Sequence, residues 1–292
     1  MTILITGATG KLGRLVVEAL LERGLPAEQI VAGGRNQAKL AELARLGVQV
    51  RSMDYSDPAS LREAFTGVDK ALLVSGSEPG PRVAQHLDVI EAAKDAGVAL
   101  LAYTSIPNTD TNTMALAADH QDTERALHNS GVPHVLLRNG WYLENYTEQL
   151  DGYLKHGTVF GSAGEGRLNG ATRADLAQAA AAVLLADDQA GMVYELGGEE
   201  SFSLEDLARE VSAATGQAVT YQDLPEEDFS HLLVGAGVPG DFARILADSD
   251  RGIARGELLV EGNALATLLG RPATTLGEAV RASAGALATQ RA

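Results

Sequence analysis

No cysteine occurs in the chain, which excludes disulfides, thiolate metal sites and a cysteine nucleophile. No apolar run approaches the roughly 18 residues of a membrane span, so none is expected. Positive charge is scarce: 23 Lys and Arg against 39 Asp and Glu leave a net charge of −16. Such a body repels a phosphate backbone, and the charges are dispersed without a basic cluster, so no nucleic-acid partner is expected. The opening residues lack a basic segment and run directly into Ile3-Leu4-Ile5, which predicts no signal peptide and a cytoplasmic protein. A Gly-x-Ser-x-Gly nucleophile elbow is missing. His86, His128, His134, His156 and His231 are not paired at metal-ligand spacing and read as structural or exposed, so no metal is expected.

Glycine, by contrast, is in excess, at 32 of 292 residues, above the roughly 7% of average usage. Apolar residues at 45% and charged residues at 21% are ordinary for a globular protein. The length suits one large domain carrying a smaller one. A helical pattern that ends in glycine and is followed by an apolar strand recurs at Gly24, Gly47, Gly67, Gly97 and Gly131. Glycine just past a helix takes the left-handed cap conformation without steric cost. Repeated βα units require a parallel sheet.

Strands are predicted at 3–5, 30–32, 48–50, 71–74, 100–103 and 135–137. Most are continuously apolar, as strands covered on both faces are; the third alternates with polar residues and belongs nearer an edge. The expected fold class is α/β, a doubly wound parallel-sheet Rossmann domain with a smaller C-terminal α/β lobe. Its ligands would sit at the carboxyl ends of the strands. Beyond about residue 140 the rhythm breaks. Residues 157–170 hold five glycines and are expected to form a long irregular segment, followed by an alanine-rich helix at 173–186 and a strand at 192–196. Residues 1–150 are thus read as an NAD(P)-binding domain to which 172–196 return, and 151–292 as a smaller lobe forming a cleft with it.

The first strand runs into Thr6-Gly7-Ala8-Thr9-Gly10-Lys11-Leu12-Gly13. Gly-x-x-Gly-x-x-Gly between strand one and helix one is where a dinucleotide loop belongs. Glycines let backbone N–H groups approach a pyrophosphate, and the helix N-terminus adds partial positive charge. A mononucleotide P-loop is excluded, because Ile5 stands where its first glycine belongs and Leu12 follows Lys11. Strand two ends in Ala32-Gly33-Gly34-Arg35-Asn36, without the carboxylate of an NAD site. Arg35 suits a 2′-phosphate instead. NADP(H) is therefore the expected cofactor, with NAD(H) as the alternative. At the other strand tips, Asp54-Tyr55 is placed near adenine, Ser75-Gly76-Ser77 along the ribose and pyrophosphate, and Tyr103-Thr104-Ser105 near the nicotinamide.

The loop resembles that of the extended and atypical short-chain dehydrogenase/reductases, whose usual chemistry needs Tyr-x-x-x-Lys. The fourth residues after the seven tyrosines are Ala59, Pro107, Tyr146, Leu150, Gly157, Gly198 and Pro225, never lysine. What remains is similar to the NmrA-like branch, and more closely to its bacterial NAD(P)H:quinone oxidoreductase members. The words that carry the likeness span nearly the whole chain. They are Ile5-Thr6-Gly7-Ala8-Thr9-Gly10 with Leu12-Gly13, Arg35-Asn36, Ala102-Tyr103-Thr104-Ser105 and His120 with Thr123-Glu124. Later come Leu137-Arg138-Asn139-Gly140-Trp141-Tyr142, Ala171-Thr172-Arg173-Ala174-Asp175 and Leu246-Ala247-Asp248-Ser249-Asp250.

The resemblance implies NADPH over residues 7–12, Arg35 on its 2′-phosphate and Ser75-Gly76-Ser77 beside it. It also implies that Asn139, Gly140, Trp141, Tyr142, Leu143, Glu144 and Arg173 line the cleft between the lobes. Isoflavone-reductase-like relatives carry a lysine thirteen residues before the proline of strand six; here that position, counted from Pro133, is His120. The implied activity is reduction of a small-molecule quinone. Hydride transfer to a quinone yields a phenolate-like oxyanion with a pKa of about 10, by analogy with tyrosine, so the acid of a full triad is less needed. Proximity to the nicotinamide then matters most. Tyr103, Trp141 and Tyr142 are expected to form a flat aromatic wall, with His120 as a donor. Two rivals fit the missing triad: a non-catalytic NADP(H) sensor acting through a protein partner, and a reductase of an enone or flavonoid-like ligand.

Overall fold

The computed structural model describes residues 1–76 and 80–291. Strand and helix alternate through β1 (Ile3–Ile5), α1 (Lys11–Glu22), β2 (Ile30–Gly34), α2 (Gln37–Ala44), β3 (Gln49–Ser52), α3 (Pro58–Ala64), β4 (Lys70–Leu73), α4 (Arg82–Asp95), β5 (Leu100–Ser105), α5 (Ala115–Ser130) and β6 (His134–Asn139). There follow β7 (Trp141–Tyr142), α6 (Glu144–Thr147), α7 (Leu150–His156), β8 (Thr158–Gly161), β9 (Gly170–Ala171), α8 (Arg173–Leu185) and β10 (Val193–Leu196). The chain closes with α9 (Leu204–Thr215), β11 (Thr220–Asp223), α10 (Glu226–Gly235), α11 (Gly240–Ala254), α12 (Ala264–Leu269) and α13 (Leu276–Arg291). The five glycines read as helix caps all have φ between 66° and 86°.

Seven parallel strands make one sheet in the order β10-β6-β5-β4-β1-β2-β3. Side chains alternate between two cores, as the pleat requires. Ile3, Ile5, Ala32, Leu72 and Ala102 pack with residues of α1 and α8, whereas Leu4, Val31, Leu73 and Tyr103 pack with α3, α4 and α5. The half-polar β3 is an edge strand. Strand order reverses between β1 and β4, opening a crevice at their carboxyl ends where a ligand fits. Helix α8 lies against α1 and β10 pairs with β6, so the chain re-enters the main sheet after β9.

Residues 157–170 are not wholly irregular. Thr158, Val159 and Phe160 carry β-branched and aromatic side chains that favour a strand, and β8 pairs with β11 while β9 pairs with β7. Around them a third core joins Ile106, Met114 and Leu143 to Val159, Phe202, Leu207 and Ile253. Among the described residues no helix is long and apolar enough to cross a membrane.

Candidate functional site

β1 passes through Thr6 to Gly7, whose φ of +58° lies where a side chain is strained. Ala8 N–H bonds Gly33 O and Gly10 N–H bonds Gly7 O, both at 2.9 Å. The loop is thus tied down before α1 begins. A Cβ on Gly13 would stand 2.4 Å from Gly7 O, and one on Gly34 2.7 Å from Thr9 Cγ2. Gly10 is the N-cap and no side chain caps the helix, which leaves the first amides of α1, on Lys11, Leu12 and Gly13, for an anion. Ala8, Thr9 and Gly10, with the cations Lys11, Arg14 and Lys39, line a depression of about 150 Å³. Lys11 pairs with Glu148 at 2.6 Å and Arg14 with Glu18 and Glu42 at 3.0 and 2.7 Å. Among the described residues, only Lys39 of these three makes no ion pair. Arg35 follows at the tip of β2, close enough for its charge to act on Tyr55.

Across the crevice, side chains carry the backbone beyond β4. Val74 N–H bonds Thr6 Oγ1 at 3.0 Å, Ser75 N–H bonds Thr104 Oγ1 at 2.8 Å, and Gly76 N–H bonds His86 Nε2 at 3.0 Å. Ser77 lies outside the described residues. The Asp54 carboxylate accepts Ser56 N–H at 2.9 Å and so shapes the turn after β3. Tyr55, expected at the adenine, runs beneath the loop instead. Its hydroxyl bonds Thr6 Oγ1 and donates to Val74 O at 2.9 Å, and burial raises its pKa.

Tyr103 is fully buried and His120 nearly so. The Tyr103 hydroxyl and His120 Nδ1 share a hydrogen bond of 2.8 Å, in which the tyrosine donates when the imidazole proton is on Nε2 and accepts when it is on Nδ1. Burial, reinforced by Arg82 and His86, lowers the His120 pKa to about 3, so the ring is neutral. Burial likewise raises that of Tyr103. The neighbouring word is structural: Glu124 receives Arg138 Nε and Nη2 at 3.1 and 2.7 Å, while Arg138 Nη1 reaches Asp110 and Glu195 at 2.8 and 3.1 Å. This clamp ties α5 to β6 and β10.

The expected aromatic wall does not form. Tyr103 lies inside the sheet–helix core, and Trp141 and Tyr142, adjacent in one strand, face opposite sides. Trp141 packs on the third core and Tyr142 on the core of α1 and α8. Leu143, expected in the cleft, is buried in the third core. Asn139 ends β6 with its Oδ1 buried and unpartnered. A Cβ on Gly140 would stand 2.8 Å from both Asn169 O and Leu196 O. Arg173 Cζ lies 4.7 Å over the Tyr142 ring, a cation–π arrangement. Its N–H donates to the Glu144 carboxylate at 2.8 Å, and its guanidinium pairs with Glu148 at 3.0 Å. Since Glu148 also holds Lys11, ion pairs join the glycine loop to the start of α8.

Residues 7–187 match the family described as NAD(P)H-binding. The chain belongs to this family. Within it, the chain is 48% identical over 278 residues to quinone oxidoreductase 2 of Escherichia coli (strain K12), covering 95% of this chain and 97% of that one. The crystal structure of an NADPH-dependent quinone oxidoreductase from Escherichia coli complexed with NADPH superposes with a TM-score of 0.92 at 48% identity, over 96% of this chain and 98% of that one. Triphenylmethane reductase of Citrobacter sp. complexed with NADP(H) also gives 0.92, at 38% identity, over 97% and 100%. An NmrA-like family oxidoreductase of Aspergillus flavus is 27% identical over 96% of this chain and 94% of its own.

As a member of the NAD(P)H-binding family, the chain has a loop whose close approaches at Gly13 and Gly34 suit a bare backbone against a pyrophosphate. Two residues of the site were not legible beforehand as parts of it. Lys39 announces itself only by following Arg35 at a four-residue interval. His86 carries no sequence signal, because its partners Gly76 and Thr123 are distant in the chain. A larger cavity, of about 590 Å³, opens beside the start of α13 and holds none of the expected site residues. Its Arg167 and Arg281 pair with Asp206 and Glu210.

Proposed function

We propose that the chain is an NADPH-dependent quinone reductase working in the crevice between β1 and β4 and the wall beyond β6. The observation that carries this reading is the likeness along nearly the whole chain, at 48% identity, to the Escherichia coli quinone oxidoreductase. The amides of Lys11, Leu12 and Gly13 would hold the pyrophosphate. Arg35 and the unpaired Lys39 would hold the 2′-phosphate, and the orphaned Asn139 Oδ1 is an acceptor for an amide donor. Bound there, NADPH supplies a hydride. Reduction of a quinone consumes that hydride and one proton, leaving an oxyanion to be stabilised in between.

In the tautomer with Tyr103 O–H donating to Nδ1, which this role requires, His120 is suited to stabilise the oxyanion by donating a hydrogen bond from Nε2–H. It is not suited to give up the proton, because Nδ1 would then have to be reprotonated by Tyr103, leaving a tyrosinate in a site where burial raises the tyrosine pKa. The proton therefore comes from solvent, in keeping with an oxyanion of pKa about 10. Tyr103 is a positioning residue in this scheme, since it acts through His120.

Mixing the protein with NADPH and a small benzoquinone, and following the nicotinamide absorbance, tests the reading. Turnover well above the uncatalysed rate is expected. A protein that binds NADPH and shows no turnover with quinones would overturn it in favour of a sensor, and turnover with enones alone would make it a different reductase. The compartment read from the sequence is proposed as cytoplasmic.

A further inference from the structure

His86 is fully buried on α4, and the reaction outlined above does not use it. Its hydrogen bonds run in one direction. Gly76 N–H donates to Nε2 at 3.0 Å, so Nε2 carries a lone pair and the proton sits on Nδ1. Nδ1 lies 3.0 Å from Thr123 Oγ1, and that hydroxyl donates onward to Asp119 O at 2.8 Å. The edge-on rings of Tyr55 and Tyr103, at 6.3 and 5.5 Å between centroids, hold the imidazole in place. A proton on Nε2 would oppose the Gly76 N–H; burial, aided by Arg82, keeps the ring neutral.

Gly76 adds an independent observation. A Cβ there would meet nothing among the described residues closer than 3.6 Å, and its φ is not in the left-handed region. Among the described residues, packing therefore does not exclude a side chain at this position. Gly76 stands three residues past the end of β4, and the sheet order reverses between β4 and β1.

We infer that His86 is a positioning residue for the dinucleotide. In its neutral Nδ1–H form it fixes the Gly76 amide, so that the segment after β4 offers bare backbone to the ribose and pyrophosphate shared by NADPH and NADH. The inference rests on the proposal that this crevice binds a dinucleotide. Asparagine at position 86 keeps a polar group at the δ position only, whereas glutamine returns an acceptor to the ε position.

Titrating NADPH and NADH by nicotinamide fluorescence against the whole protein tests it. His86→Asn is expected to weaken both coenzymes about fivefold by the same factor, while His86→Gln stays within about twofold of wild type. Thr123→Val, which leaves the ring but removes its Nδ1 partner, is expected to weaken both about threefold, and it decides the matter if His86→Asn does not fold. Unchanged binding in His86→Asn or Thr123→Val, equal loss in His86→Gln, or a loss confined to NADPH would overturn the inference. Failure of the wild-type protein to bind either coenzyme would instead remove the reading of the crevice itself.

Discussion

At the scale of single residues, charge and tautomer separate the roles in the site. Arg35 stands at the tip of β2, and a charged hydrogen bond is worth about 1.5–3 kcal/mol. Arg35→Asp should therefore weaken NADPH about tenfold or more and leave NADH little changed; equal loss in both titrations would remove Arg35 from the phosphate. His120 is neutral, with its pKa lowered to about 3 by burial first and by Arg82 and His86 after it. Steady-state kcat for benzoquinone should accordingly show no inflection from an essential histidine between pH 5 and 9. His120→Phe should lower kcat about tenfold with NADPH affinity kept, since the hydrogen bond to the oxyanion is lost together with the one shared with Tyr103. A pH inflection near 6.5 that disappears in His120→Phe would mean that the ring works as an acid. The glycine loop was readable in advance because its chemistry is consecutive in the chain. Tyr55 was misplaced because its partners Thr6 and Val74 become neighbours only when β1 and β4 pair.

At the scale of elements, α5 brings His120, Thr123 and Glu124 to the site, yet its own N-cap, Met114, offers no side-chain bond. The cap comes from α11: Asp248 Oδ2 accepts Ala115 N–H at 2.7 Å. Nearby, a Cβ on Gly252 would stand 2.2 Å from Met114 Sδ, so a side chain there would displace Met114 at the start of α5. The late Ala-Asp-Ser-Asp word is thus a brace on the element that carries the donor. Removing a helix cap costs about 1 kcal/mol. Asp248→Ala should lower stability by about that amount in urea, and lower kcat more than it lowers NADPH affinity. No loss of stability would show that water caps the helix equally well. Strands and caps of the main sheet were legible because each βα unit repeats one local pattern. β8 was not, because the glycines around it outweigh three strand-forming residues until β11 supplies a partner.

At the scale of the whole molecule, buried groups set how stability follows pH. His86 and His120 fold with pKa values of about 3, against 6.5 unfolded. Between those values the unfolded chain binds two protons that the folded chain does not, so stability rises with pH. Asp250 acts oppositely. Burial raises it from 3.8 to about 7, with Asp223 adding and the Ser162 N–H opposing, so the folded chain holds a proton that the unfolded chain has lost. That contribution is present at pH 4 and gone above pH 7. For these three groups the balance from about pH 4 to 6.5 is one proton in favour of the unfolded state, a rise of about 1.4 kcal/mol per pH unit, and Glu195, raised by burial, works against it just above pH 4.5. Asp110, Glu148, Asp175 and Glu257, all lowered, act in the same direction as the histidines below about pH 4.5. Asp250→Asn removes the opposing proton and mimics the neutral acid in shape. Its urea midpoint should climb relative to wild type from pH 4 to pH 7 and then run parallel. A gap independent of pH would mean that Asp250 is ionised in the folded protein, so that its bond to Ser162 N–H, 2.7 Å long, is that of a carboxylate and the third core tolerates the charge.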